Sequence, residues 1–597
     1  MKTERPKAVL DIECYRNFFL IAVKNISNGK TATFERSDWT DFDADQLKSV
    51  LLKFTIVTFN GRRYDELLLK HSLGGANPGQ LKALSDDIIV GELRAWDAER
   101  KYALPRCPYI DHIDLIEVAP GVASLKIYGG RAHSRRMQDL PIEPDATIEA
   151  QDRKTLIDYC VNDLDTTIDL FKQLEKQIVL REEMSAEYDT DLRSKSDAQI
   201  AEAVIRKQIE AIKGEKIYRP EFPADYSFQY KPPGFLQYEH DETRRAFEVF
   251  TTAVFTLDHK GDVKEPEEVG KLKIKIGETV YQLGIGGIHS CEKSVFYQAD
   301  DEHNLYDRDV TSYYPNIILS QRLMPTHLGP DFLSVYKTIV ERRIKAKREK
   351  DKVTDAALKI TINGSFGKFG SKWSVLYGPN LMVQTTVTGQ LALLMLIEQL
   401  ENHGIKIVSA NTDGIVINCH WAKRSEMLTV IGDWEQRTNF QTEETEYSAL
   451  YSRDINNYIA IKPDGSYKVK GAYADASLQK TPSSQICVRA VVDWLQFGLP
   501  IEDTVRSCRD ICQFVTVRQV TGGAVKGDRY LGKAVRWYYA HGQSGTITYK
   551  KNGNKVPRTD GAKPVMELPD CFPSDIDHQW YISEAYSILG DIGLSGC

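Results

Sequence analysis

Two sets of carboxylates stand in contexts suited to metal-assisted phosphoryl chemistry. The first is Asp11 and Glu13 in VLDIEC, Asp65 in FNGRRYD and Asp163 in YCVND. The second is Asp309 in YDRDVTSYYP and Asp413 in ANTDG. Hard oxygen ligands of this kind suit Mg²⁺ held in pairs, two ions per centre, with Mn²⁺ as the alternative. Such a pair activates an attacking oxygen and stabilises a leaving one. In the first set Tyr159 lies four residues before Asp163, on the same helical face, where its phenol can orient water for phosphodiester hydrolysis. Beside the second set, Lys359, Asn363 and Phe366 in KITINGSFG recur at i, i+4 and i+7. One helical face then carries a cation for a triphosphate, a small amide and a flat ring. Arg343, Lys347 and Lys350 stand on the preceding helical segment, so two antiparallel helices would clamp a triphosphate and neutralise its charge.

These side chains need elements to carry them. AVLDIEC is a strand in which period two puts Asp11 and Glu13 on one face. IVTFNGRRYDELLLKH gives a second strand, a turn at Asn60-Gly61 and a helix beginning near Asp65. RKTLIDYCVNDLDTTIDLFKQLEKQ is a long amphipathic helix bearing Tyr159 and Asp163. NLYDRDVTSYYPNIILS reads as a strand ending near Asp309, a turn, and a helix opened around Pro315. KIVSANTDGIVIN reads as a hairpin whose tight turn would bring Asp413 beside Asp309.

At 597 residues the chain exceeds one hydrophobic core, and three or four domains or subdomains are expected. Hydrophobic content of 42% and charged content of 27% exclude a disordered or fibrous chain. MKTERPK carries no leader, and no apolar run suggests a membrane span, so a cytoplasmic monomer without membrane contact is expected. The ten cysteines are scattered, as reduced thiols rather than a disulfide framework or a zinc site. The net charge of −7 is unevenly spread. Lys337 to Lys372 holds eleven Lys/Arg against four Asp/Glu, and residues 513–563 hold ten against two, interleaved with Tyr530, Trp537, Tyr538 and Tyr539. Basic stripes beside carboxylate clusters suit a phosphate backbone threaded past metal centres.

The order D-x-E, N-x3-Y-D, Y-x3-D resembles the three motifs of 3′–5′ proofreading exonucleases of the RNase H-like fold. D-x2-S-Y-Y-P, K-x3-N-G-S-F-G and N-T-D-G resemble motifs A, B and C of family B DNA polymerases, and the match runs in the family's order from residue 11 to about 475. The resemblance implies an α/β and α+β multidomain protein: an RNase H-like exonuclease followed by a right-hand polymerase with an antiparallel palm, helical fingers and a thumb. The implied division is exonuclease 1–195, connector and N-terminal palm 196–300, palm with motif A 301–325, fingers with motif B 326–378, palm with motif C 379–475, and thumb 476–597.

The resemblance makes Asp309 and Asp413 the bridging metal ligands and Tyr314 the steric gate against a ribose 2′-OH. Lys359 would contact the incoming triphosphate, with Asn363 and Phe366 at the nascent base pair. Asn60, Ser124 and Leu125 would hold single-stranded DNA in the nuclease, and Gly286 and Gly287 of GIGGIHS would meet the template. Tyr458 with Lys468 or Lys470 would meet the primer terminus, and Lys533 and Arg536 the duplex. The family's additional nuclease lysine has no assigned counterpart, since its expected region carries Arg135 and Arg136. Two residues depart from the pattern: Asn411, where the family commonly has Asp, and Asn456, where it has a basic residue.

Only 50 positions separate Asp309 from Lys359, and 52 separate Lys359 from Asn411, too few for the insertions of protein-primed members. The layout looks most like a compact bacteriophage replicative polymerase, acting on primer-template DNA and dNTPs, with phage or host replisome proteins as further partners. The alternatives are an exonuclease whose polymerase half is a DNA-binding scaffold, a protein-primed variant and a non-catalytic replisome component.

Overall fold

The computed structural model describes residues 5–594. Its N-terminal sheet has five strands in the spatial order Thr31–Ser37, Phe18–Asn25, Lys7–Cys14, Thr55–Thr58, His112–Asp114. The first three are antiparallel and the last two join in parallel. In the central strand Lys7–Cys14, Asp11 and Glu13 alternate with buried Leu10, Ile12 and Cys14, as period two requires. The helix Arg153–Glu187 covers this sheet, packing Leu156, Cys160, Leu164 and Ile168 among Val9, Leu20 and Ala22. Its inner face is the i, i+4 series that also carries Tyr159 and Asp163.

The segment after residue 195, expected as a poorly patterned connector, forms a helix at Asp197–Lys213. Ser196 and Gln199 close a capping box at its start. It packs on the antiparallel helices Pro330–Glu349 and Lys352–Phe369, and Ile205 and Ile209 share a core with Tyr336, Ile339 and Leu358. Gly364 permits the approach, since a Cβ there would lie 2.7 Å from the Asp197 carbonyl oxygen.

A seven-stranded antiparallel sheet forms the centre, in the order Thr442–Tyr447, His303–Val310, Gly414–His420, Lys406–Asn411, His289–Ser290, Thr279–Gln282, Lys273–Ile276. The helices Tyr313–Ser320, Pro379–Asn402 and Arg424–Thr438 share its core. Pro379–Asn402 is long and apolar enough to cross a membrane, but 83% of its apolar window is buried inside the protein.

The C-terminal part centres on the hairpin Thr516–Lys526 and Arg529–Tyr539, backed by helices Gln485–Phe497 and His578–Asp591. A further sheet, Val295–Gln298 with Ala449–Asp454, Asn457–Ile461 and Tyr467–Val469, contributes Tyr451, Ile459 and Ile461 to the same core. A division at residue 475 therefore cuts through continuous packing. The nine cysteines among the described residues are free thiols.

Candidate active sites

The first carboxylate set converges at the face of the N-terminal sheet. Oxygens of Asp11 and Glu13 and the sulfur of Cys160 lie within 4.8 Å of one another. Asp65 opens the helix Asp65–Leu73 after a turn in which Asn60 takes φ 67°. Asp114 fixes that turn by accepting the backbone N–H groups of Asn60 (2.7 Å) and Arg62 (3.0 Å). Glycine is required at 61, where a Cβ would fall 2.2 Å from Thr58 Oγ1. Asp163 arrives from the long helix, and it and Asp65 are buried.

Burial, then repulsion from Asp163, pushes the Asp11 carboxyl up to about 7. Burial raises Glu13 and Asp65, with Asp11 adding to both, and it raises Asp163 against the pull of Lys126. Four buried carboxylates that repel one another are a donor set that divalent cations would neutralise. Burial holds the Cys160 thiol well above the usual range, and it donates to Asp11 Oδ2 at 3.6 Å.

Lys126, directly after Ser124 and Leu125, reaches into the first carboxylate set. Its Nζ donates to Tyr159 Oη at 2.5 Å and to the Gln138 carbonyl at 2.9 Å. Burial, then the neighbouring charge of Asp163, holds the Tyr159 phenol well above its usual range and so protonated. The signal in the sequence was adjacency alone, because Lys126 reaches Tyr159 only through the fold. Arg135 and Arg136 instead pair with Glu567 and Asp570 of the C-terminal part. The Ser124 hydroxyl caps the helix Leu125–Arg131, with half-buried Leu125 at its first position.

The second set meets on the central sheet. Asp309 lies opposite Gly414 in the strand pairing, and Val310 N–H donates to the Asp413 carbonyl at 2.7 Å. Gly414 leaves room for the carboxylate, since a Cβ there would sit 2.3 Å from Asp309 Oδ1. The hairpin turn rests on the GIGG loop. Thr412 N–H donates to the Ile288 carbonyl at 2.9 Å, and a Cβ on Gly287 would strike Thr412 Oγ1 at 2.5 Å. The Gly286 carbonyl is held by Gln390 at 2.7 Å.

Burial, then Asp307, pushes Asp309 up to about 6 against the pull of Lys468, and burial raises Asp413. Asp307 escaped the sequence reading, although D-x-D in YDRDV put it on the Asp309 face. It is buried and accepts from the Tyr447 hydroxyl and from Lys468 Nζ at 3.2 Å.

Asp309 and Asp413 form a wall between two cavities. The larger, about 780 Å³, is also lined by all six expected nucleotide-site residues: Tyr314, Arg343, Lys347, Lys359, Asn363 and Phe366. The rings of Tyr314 and Phe366 lie 4.4 Å apart. Arg343 is paired with Asp355 at 3.0 Å and Lys347 with Glu443 at 3.4 Å, while Lys359 and Asn363 are exposed. The smaller cavity, about 430 Å³, is lined by Asn411, Tyr458, Lys468 and Lys470. Lys468 lies opposite Ala460 in the neighbouring strand and its Nζ comes 3.9 Å from Asp309 Oδ2, so a cation reaches this cavity although position 456 is Asn. The Asn411 amide is tied to the Ile455 carbonyl at 3.3 Å.

The C-terminal hairpin differs from the expected DNA-gripping surface. Lys533 is exposed, but Arg536 is 0% exposed and donates to the carbonyls of Ser134, Arg135, Val565 and Met566. It is an internal strut, buried away from any phosphate. Trp537, Tyr538 and Tyr539 are buried too, leaving Tyr530 at the surface. The strand is covered on both faces, by the N-terminal part on one side and the C-terminal core on the other, so charge and aromaticity did not mark an outer face.

No family model matches the chain. Over 149 residues it is 28% identical to DNA polymerase 1 of Aeropyrum pernix, covering 23% of this chain and 15% of that protein. Over 190 residues it is 24% identical to DNA polymerase 1 of Saccharolobus solfataricus, covering 31% of this chain and 20% of that protein. The matched parts thus span a fifth or less of these two relatives' length. Among solved structures, the family B DNA polymerase of the hyperthermophilic archaeon Pyrobaculum calidifontis superposes with a TM-score of 0.42 at 15% identity, over 99% of this chain and 78% of that one.

Proposed function

We propose that the chain is a template-directed DNA polymerase with a separate 3′–5′ exonuclease centre. The observation that carries this reading is the Asp309–Asp413 wall facing a cavity roofed by Lys359, Asn363 and Phe366. In this reading Asp309 and Asp413 would hold two divalent cations, whose chemistry there would be to acidify a primer 3′-OH and to offset the charge of departing pyrophosphate. Lys359 and Lys347 neutralise the triphosphate. The paired rings of Tyr314 and Phe366 bound the sugar and the base, and open space beside the Gly367 Cα leaves room for the base. Lys468 and Tyr458 approach the primer end from the smaller cavity.

At the nuclease centre Asp11, Glu13, Asp65 and Asp163 hold the cations, and Tyr159, fixed by Lys126, positions the attacking water. The short gaps between motifs support a compact enzyme of the bacteriophage replicative kind, extending an ordinary oligonucleotide primer. The archaeal relatives named DNA polymerase 1 support the polymerase reading at its coarser level.

Extension and 3′ degradation of a labelled primer on a template, with dNTPs and Mg²⁺, test both centres together. Asp309→Ala should abolish extension and keep degradation, and Asp11→Ala/Glu13→Ala should do the reverse. A wild-type chain that degrades but never extends would leave the polymerase half as a scaffold and overturn the proposal.

A further inference from the structure

We infer that Asp139 is a positioning residue through which the C-terminal hairpin sets the nuclease centre; the inference rests on the exonuclease reading above. Asp139 Oδ2 accepts from the Tyr530 hydroxyl at 2.8 Å and from the Lys533 backbone N–H at 3.2 Å, both on the hairpin. Its other oxygen, Oδ1, lies 3.4 Å from Lys126 Nζ. Lys126 donates to Tyr159, which lies one helical turn before Asp163 on the same face. One carboxylate thus joins a hairpin nearly 400 residues away in sequence to the water-positioning phenol. The hairpin is shaped for this contact. Gly532 takes φ +94°, and a Cβ there would sit 2.8 Å from the Asp139 Cβ.

The docking of the two parts does not depend on this link. Arg536 ties into the Ser134 and Arg135 carbonyls, Met137 N–H donates to the Met566 carbonyl at 2.7 Å, and Ile127, Met137, Val517 and Ala534 form an apolar cluster. Removing the Tyr530 hydroxyl should therefore leave the interface closed and release the shorter of the hairpin's two holds on Asp139, the Lys533 N–H remaining. A loosened Asp139 carboxylate holds Lys126 less firmly in register against Tyr159, where the ammonium lies 4.7 Å from the ring centroid. Half-buried charged hydrogen bonds of this kind are strong enough for such a release to register in turnover.

The test uses the full chain, Mg²⁺ and a short single-stranded oligonucleotide. Tyr530→Phe and Asp139→Asn should each lower kcat for 3′ cleavage by about three- to tenfold, with KM within about twofold, and the double variant should be no worse than the stronger single. Primer extension should stay within about twofold of wild type. Wild-type cleavage by Tyr530→Phe, multiplying effects in the double variant, or a parallel fall in extension overturns the coupling; Tyr530→Phe decides alone if Asp139→Asn does not fold. If the wild type cleaves no faster than Asp11→Ala, the exonuclease reading itself fails, a result distinct from all of these.

Discussion

Gly414 shows how one residue's lack of a side chain serves another's chemistry. Its Cα faces the Asp309 carboxylate so closely that a methyl group would lie 2.3 Å from Oδ1. Gly414→Ala must therefore rotate Asp309 or part the two strands, at a cost of about 1–3 kcal/mol for overpacking. Extension should be lost while 3′ degradation persists, measured on the same labelled primer; normal extension by this variant would mean that Asp309 need not occupy its observed position. Asp309, Asp413 and the Lys359 face were legible in the sequence because strand and helix periods place them without reference to distant chain. Lys126, Asp307 and the buried fate of Arg536 were not. Each depends on what a neighbouring element covers, and a local pattern carries no record of that.

At the scale of elements, the helices Pro330–Glu349 and Lys352–Phe369, proposed as fingers, belong to a three-helix unit rather than a pair. The helix Asp197–Lys213 lies against Lys352–Phe369, and Gly364 sits at the closest approach, on the helix that carries Lys359, Asn363 and Phe366. Gly364→Leu should lift that helix from its support, because Asp197 and Ala198 contribute backbone atoms that cannot fold away. The expected outcome is a rise in KM for dNTPs, a stability loss of about 1–3 kcal/mol in urea, and unchanged cleavage of single strands. An unchanged KM for dNTPs would show that the third helix does not hold the nucleotide face. The motif helices announce themselves through charge and glycine, whereas this supporting helix offers only an ordinary amphipathic stripe between irregular segments. Its role is visible only once Ile205 and Ile209 are seen in the fingers core.

Across the whole molecule, both centres place carboxylates where the fold disfavours their charge. Asp11 is pushed to about 7 and Asp309 to about 6, and Glu13, Asp65, Asp163 and Asp413 move in the same direction. An unfolded carboxyl titrates at about 4, so between about pH 4 and 7 these six carboxyls bind more protons in the folded chain than in the unfolded one, and it is their contribution that follows. Stability then falls as pH rises through this window, the reverse of a salt-bridged Asp. Cations that bind the ionised carboxylates of the folded state should oppose the fall, and more strongly at the upper end of the window. In chelator, the melting temperature of the metal-free chain should drop between pH 5 and 7.5, by roughly 2–4 °C for each kcal/mol in a unit the size of the nuclease. Mg²⁺ should restore most of the drop, and Asp11→Asn should flatten the slope by removing one proton from the linkage. A melting temperature that climbs over this range in chelator would mean that the carboxylates are satisfied without a metal, and neither cluster would then need one to be stable.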